Sequence, residues 1–242
     1  MDERNRRKQQ AAKAALAYVK SGMVLGLGSG STVHFFLEQL AEAIPSRGLD
    51  IKGVASSKKT ERMAAKLGIP LIEMDEVSRV DVAIDGTDLA DRAFQLIKGG
   101  GGSLFREKMV LGSADFQLII MEKEKWVSQI TGQVTVPVEV VPFGWSQTVR
   151  KLQYTGATCV RRVKEGRVFV SDNGNYIIDC TYPRVADLQD LHSQLKMTLG
   201  VVETGIFLNT GDLYLIGNED ASVTRYDRES TNGEGGQQDG KF

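Results

Sequence analysis

Four short apolar runs constrain the architecture of this chain more than any other feature. MVLGLG (23–28), DIKGVAS (50–56), VDVAID (80–85) and FQLIIME (116–122) read as buried strands. The segments between them carry helical spacing. STVHFFLEQLAEAI (31–44) has Ser31 or Thr32 as its expected N-cap, and KKTERMAAKLG (58–68) is closed by Gly68. A third helix is expected from about Ser103 to Leu111. IPLIEM (69–74) and FQLIK (94–98) are further short strand candidates. Strands that alternate with helices form a parallel sheet covered on both faces.

The rhythm changes after about residue 130. TVPVEVVP (135–142) is a strand and SQTVRKLQYTG (146–156) a helix ending at Gly156. TCVRRV, RVFVSD and NYIIDC are strand candidates divided by KEG and NG turn signals. VADLQDLHSQLKM (185–197) is a helix and GVVETGIF (200–207) a strand. That order is a split βαβ module. DLYLIG (212–217) is expected to return to the first sheet. The chain therefore reads as α/β. A Rossmann-like open parallel-sheet domain covers 1–130 plus about 208–225, and a smaller ferredoxin-like α+β domain covers 131–207. The polar, glycine-rich segment 226–242 is expected to be a disordered tail.

Composition excludes several classes of function. The formal net charge is -1, so no global field attracts nucleic acid or an anionic membrane. No apolar run is long enough to span a bilayer. The first twenty residues have no apolar signal core, which gives the expectation of a cytoplasmic protein; their basic run reads as the solvated face of a helix. Cys159 and Cys180 are expected to be buried free thiols. With two histidines and no Cys/His cluster, a zinc site is not expected, and a general base is expected to be a carboxylate. Aspartates could ligate Mg²⁺, but there is no EF-hand spacing and a lysine already supplies positive charge.

Four loops can carry chemistry. GLGSGST (26–32) joins a strand to a helix, where backbone amides favour a phosphate. It lacks the third glycine of a dinucleotide fingerprint, which disfavours a nicotinamide-dependent oxidoreductase. DGTD (85–88) follows a strand, at the edge where open α/β sheets bind ligands, and sets Asp85 and Asp88 around Gly86 and Thr87. IKGGGGSLFREKM (97–109) places Lys98 before four glycines and Glu107 about one turn into a helix. MEKEKW (121–126) adds Lys123 and Lys125.

GLGSGST, SSKKTERMAAKLGIPL, DVAIDGTD, IKGGGGSLFREKM, VPVEVVPFG, SDNGNYIIDC and GVVETGIF together resemble the signatures of A-type ribose-5-phosphate isomerases, in order, over roughly residues 10–217. The chain departs from the family at Leu89, where an acid is usual, and at Ser29, where threonine is common. The resemblance implies interconversion of ribose 5-phosphate and ribulose 5-phosphate through an enediolate, without metal or organic cofactor, by a homodimer or homotetramer. It implies that Glu107 shuttles the proton and that Asp85, Asp88 and Lys98 handle ring opening and the sugar oxygens. It implies that Ser29, Gly30, Ser31, Thr32, Gly86, Thr87, Gly99, Gly100, Gly101 and Lys125 hold the sugar phosphate. A non-catalytic sugar-phosphate sensor on the same scaffold is the alternative. Gly102 falls outside the family's motif, so it is the glycine expected to tolerate alanine.

Overall fold

A computed structural model describes residues 2–229, which divide into two compact units. The first contains residues up to Thr87, Arg106–Trp126 and the chain from Thr210 onward; the second contains Asp88–Phe105 and Val127–Asn209.

The first unit is built on a six-stranded sheet. Its strands lie in the order Val223–Asp227, Leu213–Gly217, Ala114–Glu122, Val80–Asp85, Val24–Leu27, Lys52–Ala55. All neighbours are parallel except the first pair. Leu213–Gly217 returns to this sheet as expected. The edge strand Val223–Asp227 was not anticipated, because VTRYD lacks an apolar run; it extends into the segment expected to be a tail, whose residues 230–242 lie outside those described. The core gathers Leu25, Leu27, Ile84, Leu118 and Ile120 from the strands with Phe36, Leu37 and Leu40 from the helix Ser31–Arg47. Chain order reverses direction between Val24–Leu27 and Val80–Asp85. The loops leaving those two strands therefore flank the crevice where such sheets bind ligands.

Two expectations in this unit are corrected. IPLIEM does not form a strand. Pro70 has no N–H to give, and the segment makes only a bridge at Leu71, with Gly53 donating to the Pro70 carbonyl at 2.8 Å. The basic run near the N-terminus is not simply a solvated face. Helix Glu3–Ala15 buries Ala11, Ala12 and Ala15, and Arg7 and Lys8 are buried with them. Arg4 donates to the fully buried Glu122 at 2.8 and 3.0 Å, and Arg7 pairs with Glu124. The Asp2 carboxylate caps the helix by accepting the Arg4 N–H at 2.8 Å.

The second unit holds a four-stranded antiparallel sheet in the order Val201–Thr204, Val134–Val140, Tyr176–Tyr182, Thr158–Arg161. Helices Trp145–Gln153 and Leu188–Lys196 complete the ferredoxin-like order. RVFVSD supplies no strand to this sheet. Arg167–Val168 pairs instead with Val163–Lys164 across Glu165 and Gly166, both at positive φ, a type I′ hairpin turn. Cys159 and Cys180 oppose each other on neighbouring strands as free thiols, Sγ to Sγ 3.5 Å; Cys180 is buried and Cys159 half-buried. Residues 88–105, expected in the first domain, belong to this unit because Leu89–Ala90, Leu96–Ile97 and Ile206–Phe207 form their own small antiparallel sheet.

Candidate active site

Asp85 ends the strand Val80–Asp85 and is 1% exposed. Its Oδ1 accepts the N–H of Ser29 at 3.0 Å and of Gly86 at 2.7 Å. Two amide donors fix the orientation of this carboxylate. The neighbouring glycines serve this close approach. A Cβ on Gly28 would land on the Asp85 carboxylate, and one on Gly26 would lie 2.6 Å from Val110 and 2.7 Å from Ala83. Gly26 and Gly28 are therefore needed for packing whether or not a phosphate binds, whereas Gly30 has open space around a Cβ.

Ser29 turns its hydroxyl inward, within 3.0 Å of Ser56 Oγ and 2.9 Å of Ser57 Oγ. The backbone at this loop, rather than the Ser29 side chain, remains to meet a ligand. Helix Ser31–Arg47 has Gly30, not Ser31 or Thr32, as its N-cap, with no side-chain cap bond. Gly30 sits at φ 103, and the first intrahelical bond is His34 N–H to the Gly30 carbonyl. The amides of Ser31, Thr32 and Val33 thus precede the helical ladder, as an anion site requires. Ser31 is exposed, and Thr32 and Thr87 are buried.

Glu107 lies in the first turn of helix Leu104–Gly112 and is 5% exposed. Lys125 ends the short turn after strand Ala114–Glu122, and its Nζ stands 3.6 Å from Glu122 Oε2. Burial alone would push the Glu122 carboxyl up. Lys125, a backbone hydrogen bond, Arg4 and Lys8 outweigh that and hold it below the ordinary carboxylate range.

In the second unit, Lys98 is 2% exposed; its N–H donates to the Gly205 carbonyl at 2.8 Å and its Nζ lies 5.7 Å from the Phe207 ring centroid. Gly99–Gly102 form a turn closed by Gly102 N–H to the Gly99 carbonyl at 2.9 Å. Asp88 Oδ2 accepts the Gly100 N–H at 2.7 Å, tying one expected catalytic acid to the turn. The glycines divide differently from the expectation. Gly102 is buried at φ 83, where a side chain is strained, and its Cβ would overlap the Phe169 ring. Gly101 has an ordinary φ and open space around a Cβ. Gly101, not Gly102, is the tolerant position.

Arg162 and Phe169 touch this turn, with Asp179 behind Arg162, and none was singled out, because nothing in TCVRRV separates Arg162 from the adjacent Arg161. SDNGN also has a structural task. Ser171, Asn175 and Asn173 all donate to Oε1 of the buried Glu139, at 2.8, 2.9 and 3.2 Å. Among the described residues no group of three or more His, Cys, Asp or Glu is gathered as metal ligands would be, and no helix is long and apolar enough to cross a membrane.

These features can be set beside known proteins. A family model described as ribose 5-phosphate isomerase A (phosphoriboisomerase A) matches residues 52–221. The chain is 48% identical over 209 residues to ribose-5-phosphate isomerase A 2 of Oceanobacillus iheyensis, covering 86% of this chain and 93% of that relative. It is 43% identical over 213 residues to ribose-5-phosphate isomerase A of Bacillus mycoides, covering 88% and 96%. The solved structure of ribose 5-phosphate isomerase from Plasmodium falciparum matches with a TM-score of 0.87 at 38% identity, over 93% of this chain and 98% of that one. Likeness of this grade runs through both units and nearly end to end in each partner, so the chain belongs to the ribose 5-phosphate isomerase A family.

Proposed function

We propose that this chain interconverts ribose 5-phosphate and ribulose 5-phosphate by moving one proton between C2 and C1 of the open-chain sugar. The reading rests on family membership together with the intact Lys98–Lys108 motif, in which a buried carboxylate follows the glycine turn in the first turn of a helix. Glu107 takes the proton from C2 of the aldose and returns it to C1. The electron pair passes through an enediolate, and a hydroxyl proton moves from O2 to O1, so nothing is gained or lost. Asp85, oriented by two amides, meets sugar hydroxyls. Asp88 and Lys98 meet the ring and carbonyl oxygens, where Lys98 and the glycine amides oppose the developing negative charge. The phosphate takes the amides of Gly30–Thr32, with Lys125 as a further cation. No metal is assigned a role.

A coupled assay of ketopentose phosphate formation, with and without EDTA, tests this reading. Turnover that survives the chelator is expected. Ribose 5-phosphate binding without turnover would overturn it and favour the sensor.

We further propose that the chain is a homodimer or homotetramer. The second unit exposes Phe143 at 94%, Met197 at 86% and Leu199 at 79%. Val141 N–H to the Gly200 carbonyl, 2.9 Å, and Thr148 Oγ1 to the Leu199 carbonyl, 3.2 Å, bring their two segments together. Clustered large apolar side chains of this kind mark contact surfaces. In sedimentation the wild type should be oligomeric and Phe143→Asp/Met197→Glu should shift toward monomer. A monomeric wild type would refute the proposal.

A further inference from the structure

The side chain with the most ordered set of partners near the glycine turn is one that the proposed mechanism does not use. Arg162 donates through Nε to Asp179 Oδ2 at 3.0 Å and through Nη2 to Asp179 Oδ1 at 2.5 Å. Its remaining arm, Nη1, donates to the carbonyls of Gly99 at 2.8 Å and Gly100 at 3.1 Å. Phe169, whose ring centroid is 5.9 Å from the guanidinium carbon, also lies under Gly102. The guanidinium plane is therefore set on one side by a two-point carboxylate contact, and its Nη1 donates to two consecutive peptide carbonyls.

Peptide planarity gives this contact a consequence. In a trans peptide the carbonyl and the next N–H point in opposite directions. Holding the Gly99 carbonyl on Arg162 aims the Gly100 N–H away from it, and that N–H is the one that Asp88 Oδ2 accepts at 2.7 Å. Holding the Gly100 carbonyl does the same for the Gly101 N–H, which has no acceptor among the described residues and lies on an exposed glycine. Glycines left to themselves would let these planes flip at little cost. The Arg162–Asp179 pair is partly exposed, with side chains 15% and 27% accessible, and such a pair contributes little to stability.

We infer that Arg162, oriented by Asp179, is a positioning residue for the proposed isomerisation: it locks the Gly99–Gly101 peptides so that one amide holds Asp88 and the next is presented as a preset donor to the sugar oxygens. It touches neither substrate nor reacting atoms. This rests on the isomerase reading above.

The test uses the full-length protein, comparing wild type with Arg162→Ala, Arg162→Lys and Asp179→Asn. Arg162→Ala should lower kcat ~10–100-fold, the scale of a misplaced reacting group, while KM moves less than ~3-fold. Binding of phospho-erythronic acid, an acid that imitates the enediolate, should weaken by a similar factor. Arg162→Lys should resemble the alanine variant, because a single ammonium cannot replace the planar fork. Methylguanidinium added to Arg162→Ala should restore part of kcat and leave wild type unchanged. Should Arg162→Ala not fold, Asp179→Asn decides alone, with a smaller fall in kcat expected. Unchanged kcat per folded molecule, a loss confined to melting temperature, or a change in KM alone would overturn the inference. A wild type without turnover would instead remove the isomerase reading itself.

Discussion

Glu107→Gln is expected to fold as the wild type does and to lose at least ~10²-fold in kcat, the lower end of what a positioned general base supplies. A loss of 10²- to 10⁴-fold corresponds to about 2.7–5.4 kcal/mol of barrier. The substitution keeps size and one oxygen, so the 5% exposed position should accept it. The choice of Glu107 over the other acids rests on its place in the family's motif; Asp85 Oδ1 already accepts two backbone N–H groups and Asp88 Oδ2 accepts one. The rate should fall with KM little changed, and substrate deuterated at C2 should keep its label in the variant. Near wild-type turnover, or solvent exchange at C2 that continues at the original rate, would remove Glu107 from the base role.

The second large effect is at the glycine turn. Gly102→Ala must place a side chain at φ 83 and against the Phe169 ring. Left-handed backbone at a non-glycine residue costs ~1–3 kcal/mol, and overpacking costs a similar amount. A destabilisation of at least ~2 kcal/mol follows. For a chain of this length that is a fall of roughly 4–8 °C in melting temperature. Gly101→Ala should lie within ~0.5 kcal/mol of wild type. Thermal unfolding of the two variants side by side decides the matter, and a Gly101 variant worse than the Gly102 variant would contradict the geometry of the turn.

How much of this was legible in the residues depends on the range of the interaction. The parallel sheet announced itself in runs such as VDVAID, because a strand buried on both faces must be apolar throughout. The split βαβ order was legible from the alternation of strand and helix patterns with turn signals such as NG. IPLIEM misled because its apolar content suits a strand while Pro70 cannot complete a ladder. The edge strand Val223–Asp227 was invisible, since an outer strand that pairs on one side needs no apolar run. At the candidate site, charged residues beside glycines were easy to nominate from spacing. Which glycine could carry a side chain was not, because the answer depends on Phe169, far along the chain. Arg162 escaped for the same reason, since its partners Asp179, Gly99 and Gly100 are 17, 63 and 62 residues away in sequence.

The ties of helix Glu3–Ala15 bear on how the protein is handled. Asp2, Arg4 and Arg7 are each engaged: Asp2 with the helix start, Arg4 with Glu122 and Arg7 with Glu124. A fusion that runs on as helix through Asp2 would forfeit the cap, and trimming the polar start as if it were a dispensable leader would uncover the Glu122 carboxylate. Glu122 directly precedes the short turn that carries Lys125. A poorly placed tag would thus reach the proposed phosphate-binding lysine through a single buried acid.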